Sequence, residues 1–128
     1  MAASTLRSAW GFLTLPTVRH TLQALDIPAE LPIPLAANPL DIFDLEADLT
    51  RKLVTGGAYT RFAGSRHDAQ AIVAEFTTSL VSDAQDAWFA GFWQPWTPWF
   101  WDVAWDMTWL GLQRSQRRLW LLCVTDTD

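Results

Sequence analysis

The chain has little of three things that commonly indicate a protein's environment or partners: cysteine, positive charge and long apolar runs. Its only cysteine, Cys123, excludes an intrachain disulfide framework and favours a reducing compartment, so we expect a cytoplasmic protein. The net charge of −5 lacks the basic footprint that general nucleic-acid binding requires. No apolar stretch reaches the roughly 20 residues of a membrane span, because Gln94, Pro95 and Pro98 interrupt the nearest approach to one.

The remaining composition is that of a globular protein. Half of the residues are hydrophobic and 18% are charged, which is enough apolar material for a buried core and too little charge for a disordered chain. A length of 128 residues is close to the usual size of one domain, and no flexible linker interrupts the sequence. We therefore expect residues 1–128 to form a single domain.

Three segments have the spacing and the end signals of helices. The first covers residues 16–25, and the second is expected to run from an Asx cap at Asn38 to about Val54. In the third, Ser65 and Asp68 have the spacing of a capping box ahead of an apolar face. That face is expected to comprise Ala69, Ile72 or Val73, Phe76 and Leu80.

The last third of the chain is dense in tryptophan, since eight of the nine tryptophans lie within residues 88–120. Residues 101–112 and 118–125 have the composition of two antiparallel strands joined by a polar turn. A helix is the alternative over residues 98–112, because the tryptophans there also recur at helical spacing, but Gly111 and the turn beyond it favour a hairpin. The sequence thus predicts an α+β fold, with two or three helices packed on one face of a small antiparallel sheet and the Trp-rich C-terminal hairpin at its centre.

A small domain has limited room in its core for so many indole rings. Pro95 and Pro98 break the segment that carries three of them, and loops usually run over the surface. Exposed aromatic patches mark contact sites, and tryptophan is enriched among the residues that dominate binding energy at interfaces. A wholly buried aromatic core is the alternative. The predicted interaction surface comprises Trp93, Trp96, Trp99, Trp101, Trp105 and Trp109.

Four aspartates near the two strands raise a metal-binding alternative. If the numbers of facing residues in the hairpin sum to about 230, Asp102 lies opposite Asp128. Ala104 then faces Asp126, and Asp106 follows on the same face. Clustered carboxylates suit Mg²⁺ or Mn²⁺, which activate water for hydrolysis. A register shift of one residue would send the acids of the two strands to opposite faces, and they would then be solvated surface residues.

No motif in the sequence specifies a reaction. We expect a small acidic, non-enzymatic interaction module, similar in size and charge to an inhibitor, immunity or antitoxin-like adaptor. Such a module needs no cofactor and binds a protein partner or a second copy of itself. The alternative is a small metal-dependent hydrolase or nuclease that uses the aspartate cluster. A third hypothesis is a pocket for a small apolar or aromatic ligand, lined by Trp99, Trp101, Trp105 and Trp109.

Overall fold

In the part of the chain that the structure describes, three helices accompany a four-stranded antiparallel sheet, which confirms the α+β class. The computed structural model describes residue 13 and residues 15–27, 38–57, 61–100 and 105–126. The helices are α1 (Pro16–Ala24), α2 (Ile42–Thr55) and α3 (Arg66–Leu80), and a short 3-10 helix spans Ala84–Asp86. The strands are β1 (Asn38–Leu40), β2 (Ala87–Phe92), β3 (Met107–Gln113) and β4 (Arg118–Val124), in the spatial order β1-β2-β3-β4. Within these ranges, no helix is long and apolar enough to cross a membrane.

The helices cover both faces of the sheet, where the sequence predicted one. Strands β2, β3 and β4 are apolar on both sides, so both sides require a cover. On one side α2 and α3 pack over the sheet, with Leu45 and Leu49 of α2 buried against Phe89 and Trp109. On the other side the core is completed by α1 and by residues of the segment that follows β2. That core includes Leu13, Val18, Leu22, Ala90, Phe92, Trp96, Phe100, Leu110 and Leu112.

The predicted C-terminal hairpin is present as β3 and β4, although its place in the sheet differs. The second strand, predicted over residues 118–125, is observed at Arg118–Val124, and the first begins at Met107, six residues later than predicted. The strand interpretation holds for residues 107–112, and residues 101–104 lie outside the described part of the chain. The hairpin is not central, because β3 also pairs with β2 and β4 is the last of the described strands in the sheet.

Gly111 lies in the middle of β3, not near its end. The facing residue in β4 is Trp120, whose indole occupies the space that a Cβ atom on Gly111 would fill. The same ring lies 6.1 Å from the ring of Phe89, measured between centroids. A glycine here leaves room for a large aromatic ring over the sheet. Gly111 is therefore needed for packing and does not mark a turn.

The cap of helix α2 lies three residues after the predicted cap at Asn38. Residues 38–40 form β1, which pairs with β2 and tolerates Pro39 because an edge strand has a backbone edge that donates no ladder hydrogen bonds. Asp41 is the actual cap: its Oδ1 accepts a hydrogen bond from the Asp44 backbone N–H at 2.7 Å, and the Asp44 side chain accepts one from the Asp41 N–H. A reciprocal capping box satisfies two helix-end donors, which is why the helix starts here.

The predicted cap of α3 is confirmed. Ser65 Oγ accepts a hydrogen bond from the Asp68 N–H at 3.1 Å, and Asp68 Oδ2 accepts one from the Ser65 N–H at 2.9 Å. Hydrogen bonding to the Ser65 backbone N–H, and secondarily to the Ser65 side chain, lowers the pKa of the exposed Asp68 carboxyl. The predicted apolar face is wrong at Phe76, which is exposed. Ala69 is buried, Val73 and not Ile72 takes the next position, and Leu80 packs half-buried against the core. Buried Thr77 takes the next position on that face, and its hydroxyl donates a hydrogen bond to Glu46 of α2.

The close approach of Gly111 and Trp120 yields a stability prediction. Gly111→Ala is expected to lower the free energy of unfolding by about 1–3 kcal/mol, because the new methyl group displaces the indole. Urea denaturation measures the change. In a Trp120→Leu background the same substitution should cost much less, since the ring is gone; an equal cost in both backgrounds would show that the contact is not responsible.

Candidate binding site

Residues 93–100, which follow β2, are held in place by buried aromatic rings. Trp96 is 1% exposed, and its indole N–H donates a hydrogen bond to Thr108 Oγ1 of β3 at 3.0 Å. Phe100 is also buried, and its ring meets that of Trp96 edge-on with centroids 5.9 Å apart. The Phe100 N–H further bonds to the Thr97 carbonyl oxygen at 3.1 Å. We call residues 93–100 the aromatic loop; two rings and a buried hydrogen bond fix it to the sheet.

The same loop carries two tryptophans that remain in contact with solvent. Trp93 is 63% exposed and Trp99 is 45% exposed. The Trp99 ring stands nearly perpendicular to that of Phe100, with centroids 5.0 Å apart. This contact orients an exposed indole against a buried anchor. The loop therefore presents apolar surface without the freedom of a mobile segment.

The structure does not bring the six tryptophans of the predicted interaction surface together on one exposed face. Of the six tryptophans, Trp93 and Trp99 are exposed, Trp105 is half-buried, and Trp96 and Trp109 are core residues. Trp101 lies outside the described residues. Position relative to the sheet explains the division, because a strand residue such as Trp109 faces the helices whereas the loop projects beyond the last residue of β2.

An apolar cavity of about 380 Å³ opens beside the aromatic loop, between α1 and β4. Trp99 and the 63% exposed Leu25 of α1 stand among the residues of its wall. Thr17 and Thr21 are exposed on the same side of α1, and the Thr21 hydroxyl is already engaged by the Thr17 carbonyl oxygen at 3.0 Å. The full lining is Thr17, Val18, Thr21, Leu22, Leu25, Ile27, Trp96, Thr97, Trp99, Leu119, Trp120, Leu121 and Cys123.

Cys123 belongs to this apolar wall and is a poor nucleophile. Burial raises the pKa of its thiol to about 11, and the hydrogen bond from Thr108, at 4.0 Å between oxygen and sulfur, offsets this only partly. A thiol with such a pKa is protonated at neutral pH, whereas nucleophilic attack requires the thiolate. The cavity therefore has the chemistry of a binding site and not of a cysteine-dependent reaction.

The cavity only partly matches the pocket expected from the sequence. Trp99 lines it, but Trp105 and Trp109 line a different depression of about 420 Å³ against Asp48, Arg51 and Lys52 of α2, on the other side of the sheet. Sequence reasoning missed the contribution of α1. The helical spacing of Val18, Leu22 and Leu25 was the available signal, but it does not show which strand the helix covers.

The register of β3 and β4 differs from the predicted one by one residue. Facing residues of β3 and β4 have numbers that sum to 231, since Met107 faces Val124 and Thr108 faces Cys123. One step beyond the ladder, the Thr125 hydroxyl donates a hydrogen bond to Asp106 Oδ1 at 2.6 Å, and Asp106 is only 3% exposed. The Asp126 carboxylate instead lies next to Gly57, at the end of α2. Asp106 therefore lies opposite Thr125 and not opposite Val124, as the predicted register required.

The metal site itself stays a prediction. Among the residues that the structure describes, no group of three or more histidine, cysteine, aspartate or glutamate side chains is arranged to hold an ion. Asp102 and Asp128 lie outside those residues. Several other aspartates serve locally: Asp41, Asp44 and Asp68 cap helices, Asp48 pairs with Arg51, and Asp86 accepts hydrogen bonds from Ser115.

The anchor of the aromatic loop yields a second prediction. Thr108→Val removes the oxygen that accepts the Trp96 N–H and leaves a buried donor unsatisfied, so the free energy of unfolding should fall by about 1–3 kcal/mol. Thr108→Ser retains the acceptor and is the matched control. Guanidinium denaturation compares the two variants, and equal losses for valine and serine would show that the hydrogen bond does not stabilise the loop.

Comparisons with protein-family models, with functionally characterised proteins and with solved structures find no match. The function of this chain therefore has to be inferred from its own geometry, and the aromatic loop with its adjoining cavity is the part of that geometry best suited to binding.

Proposed function

We propose that this chain is a non-enzymatic binding protein that holds a partner protein at the aromatic loop and the cavity beside it. The observation that carries this proposal is that one loop contains both buried and exposed aromatic residues. Buried Trp96 and Phe100 fix the loop to the core, and exposed Trp99 lies at the cavity wall. Leu25 adds a second exposed apolar side chain to that wall.

The loop is suited to binding because it is ordered before the partner arrives. Immobilising a flexible side chain at an interface costs about 0.5–1.5 kcal/mol. A tryptophan already oriented by an edge-on contact with Phe100 avoids part of that cost. Tryptophan side chains beside a pocket are also the usual centres of interface binding energy. We infer that an apolar side chain of the partner enters the cavity while Trp99 packs over it.

The charge of the chain supports a partner with basic residues around its contact surface. A net charge of −5 attracts a positively charged protein over distances up to a Debye length, about 10 Å at 0.1 M salt. Such attraction raises association rates more than it raises affinity. The size, charge and aromatic contact site together support an inhibitor, immunity or antitoxin-like role.

Trp99→Ala tests the partner-protein proposal. Affinity purification of the full chain from extracts of its native cells, quantified by mass spectrometry, should recover one or more specific proteins. Trp99→Ala should reduce that recovery at least about tenfold, the effect of removing a dominant interface residue. Phe43→Ala is the matched control, because Phe43 is a still more exposed aromatic residue (78%) on α2, across the sheet from α1. Recovery that falls equally in both variants, or in neither, would contradict the proposal.

A small apolar ligand is the second candidate occupant, favoured by the dimensions of the cavity. Its volume of about 380 Å³ lies within the range of small-molecule sites, about 300–1,000 Å³. The wall is mainly aliphatic and aromatic, and a few threonine hydroxyls supply the polar groups. A flat aromatic molecule or a short acyl chain fits this chemistry.

Fluorescence of the apolar dye 8-anilinonaphthalene-1-sulfonate distinguishes the two candidates. If the cavity takes small ligands, the purified chain should bind the dye saturably. Thr21→Trp, which places a large ring at the cavity wall, should then abolish binding, whereas Gln23→Trp, an exposed position of α1 outside the lining, should not. Absence of saturable binding in the unmodified chain would exclude the small-ligand candidate and leave the protein-partner proposal standing.

A further inference from the structure

The apolar cavity beside the aromatic loop extends to the outer edge of β4. Leu119, Leu121 and Cys123 alternate along the strand and line the cavity from one face of the sheet. Trp120 also lines it, although its side chain packs with α2 and α3 on the opposite face. A cavity bounded by residues of both faces reaches the edge at which the two faces meet. Because β3 flanks the inner edge of β4, this is the outer edge.

The backbone groups on that edge belong to the same three alternating residues. The Arg114 N–H donates a hydrogen bond to the Asp86 carbonyl oxygen at 3.4 Å, which directs the backbone of residue 114 towards β2. In an antiparallel ladder this direction alternates from residue to residue, so the backbone of Gln113 bonds towards β4, where it faces Arg118. The same alternation along β4 turns the N–H and C=O groups of the three cavity-lining residues away from β3.

Strand β4 lacks the features that commonly protect an edge from pairing. Residues 119–124 contain no proline, glycine or charged residue. At the other end of the sheet, β1 has only three residues and includes Pro39. Within the described ranges of the chain, no strand pairs with the outer edge of β4. A regular apolar strand with such an edge is a template to which an extended segment can add.

Two arginines at the start of β4 indicate the charge of a segment that fits. Arg117 and Arg118 are exposed, and in the part of the chain that the structure describes neither belongs to an ion pair. A segment that pairs with β4 brings one of its ends beside Arg118. Opposite charges in facing positions stabilise a strand pair. Charge complementarity therefore favours a segment with an acidic residue at that end.

We propose that the partner protein binds by strand addition, in which an extended segment of the partner pairs with the outer edge of β4. This inference rests on the proposed function and names the kind of segment that the site takes. Facing residues of paired strands share a face, so the partner residues opposite Leu119, Leu121 and Cys123 enter the cavity that Trp99 lines. The fitting segment has apolar side chains at these alternate positions and an acidic residue beside Arg118. Backbone hydrogen bonds supply affinity, and the cavity supplies specificity.

A phage-displayed library of random peptides of seven residues, the length of β4, tests the proposal without a known partner. Selection on the full chain should enrich peptides that have apolar residues at alternate positions and an acidic residue at one end. Thr21→Trp, which places a large ring at the cavity wall, should lose them, whereas Gln23→Trp outside the lining should retain them. Enrichment of no such pattern would overturn the proposal.

N-methylation of an enriched peptide separates strand addition from binding by side chains alone. A strand paired along one edge uses the N–H groups of every second residue. Methylating the set of N–H groups that faces β4 should weaken binding at least about tenfold, because each lost hydrogen bond also leaves an acceptor unsatisfied. Methylating the alternate set is the matched control and should have little effect. Fluorescence anisotropy of the labelled peptide measures both, and equal effects of the two sets would overturn strand addition.

Backbone hydrogen exchange, followed by NMR, identifies the occupant of the edge. In the free chain the N–H groups of Leu119, Leu121 and Cys123 should exchange quickly, whereas those of Trp120 and Leu122 should be protected by pairing with β3. The enriched peptide should slow exchange at the first three. Protection of those three in the free chain would show that the chain itself covers the edge. Protection that rises with the chain's own concentration would show that a second copy does, and either result would overturn the proposal.

Reversal of charge tests the acidic end of the segment. Arg118→Glu should weaken binding of an enriched peptide about fivefold, because it replaces an attraction between facing residues by a repulsion. A peptide whose acidic residue is changed to lysine should bind this variant better than the original peptide does. Arg114→Glu makes the same change in an exposed turn residue outside β4 and is the control. Equal weakening by both variants would contradict a facing position for Arg118.

Leu121→Pro distinguishes failure of strand addition from failure of the proposed function. It removes an outward N–H and no hydrogen bond to β3, whereas the control Leu121→Ala keeps that N–H. Recovery of the partner from cell extracts should fall at least about tenfold in Leu121→Pro relative to the control. Recovery that requires Trp99 but tolerates Leu121→Pro would overturn strand addition alone. Absence of specific recovery by the unmodified chain would overturn the proposed function. Circular dichroism verifies folding, and the peptide N-methylation test needs no variant of the chain.

Discussion

The hydrogen bond between the Trp96 indole and Thr108 is the interaction on which the binding geometry depends. It lies in the core and joins the aromatic loop to a central strand of the sheet. A buried indole N–H without a partner is costly, so the bond fixes the depth at which Trp96 enters the core. That depth in turn sets where Phe100 packs and where Trp99 emerges. The position of the exposed contact site thus follows from how the indole N–H of Trp96 is hydrogen-bonded in the core.

A sheet that is apolar on both faces imposes the rest of the architecture. Helices α2 and α3 cover one face with regular helical packing, and α2 lies mainly over β1 and β2. The described cover of the other face consists mainly of the nine residues of α1 and the aromatic loop, together with Leu13. A short helix and a loop leave a gap over β4, and that gap is the cavity.

Local signals in the sequence predicted local structure well. The capping box of Ser65 and Asp68 and the extent of β4 are both encoded within a few neighbouring residues, and both are confirmed. The start of α2 was predicted at Asn38 because an Asx residue before proline resembles a cap. The competing signal, Asp41 followed by Asp44, became decisive only because residues 38–40 pair with a strand almost fifty residues away.

The arrangement of the site was harder to predict, because it depends on register and depth. A change of one in the sum of facing residue numbers, from 230 to 231, places Thr125 opposite Asp106 in the position predicted for Val124. Nothing in the strand sequences fixes that sum. Nor do the eight clustered tryptophans differ in a way that marks Trp96 for the core and Trp99 for the surface. Only the position of Thr108 across the sheet makes that distinction.

Hydrogen exchange of the indole N–H groups, followed by NMR, tests the central claim most directly. If Trp96 anchors the aromatic loop, its indole N–H should exchange with solvent far more slowly than those of Trp93 and Trp99, which should exchange at rates close to that of free tryptophan. Slow exchange at Trp96 that becomes fast in Thr108→Val would identify the hydrogen bond as the cause. Exchange at Trp96 as fast as at Trp93 would contradict the account, because the loop would then have no fixed anchor.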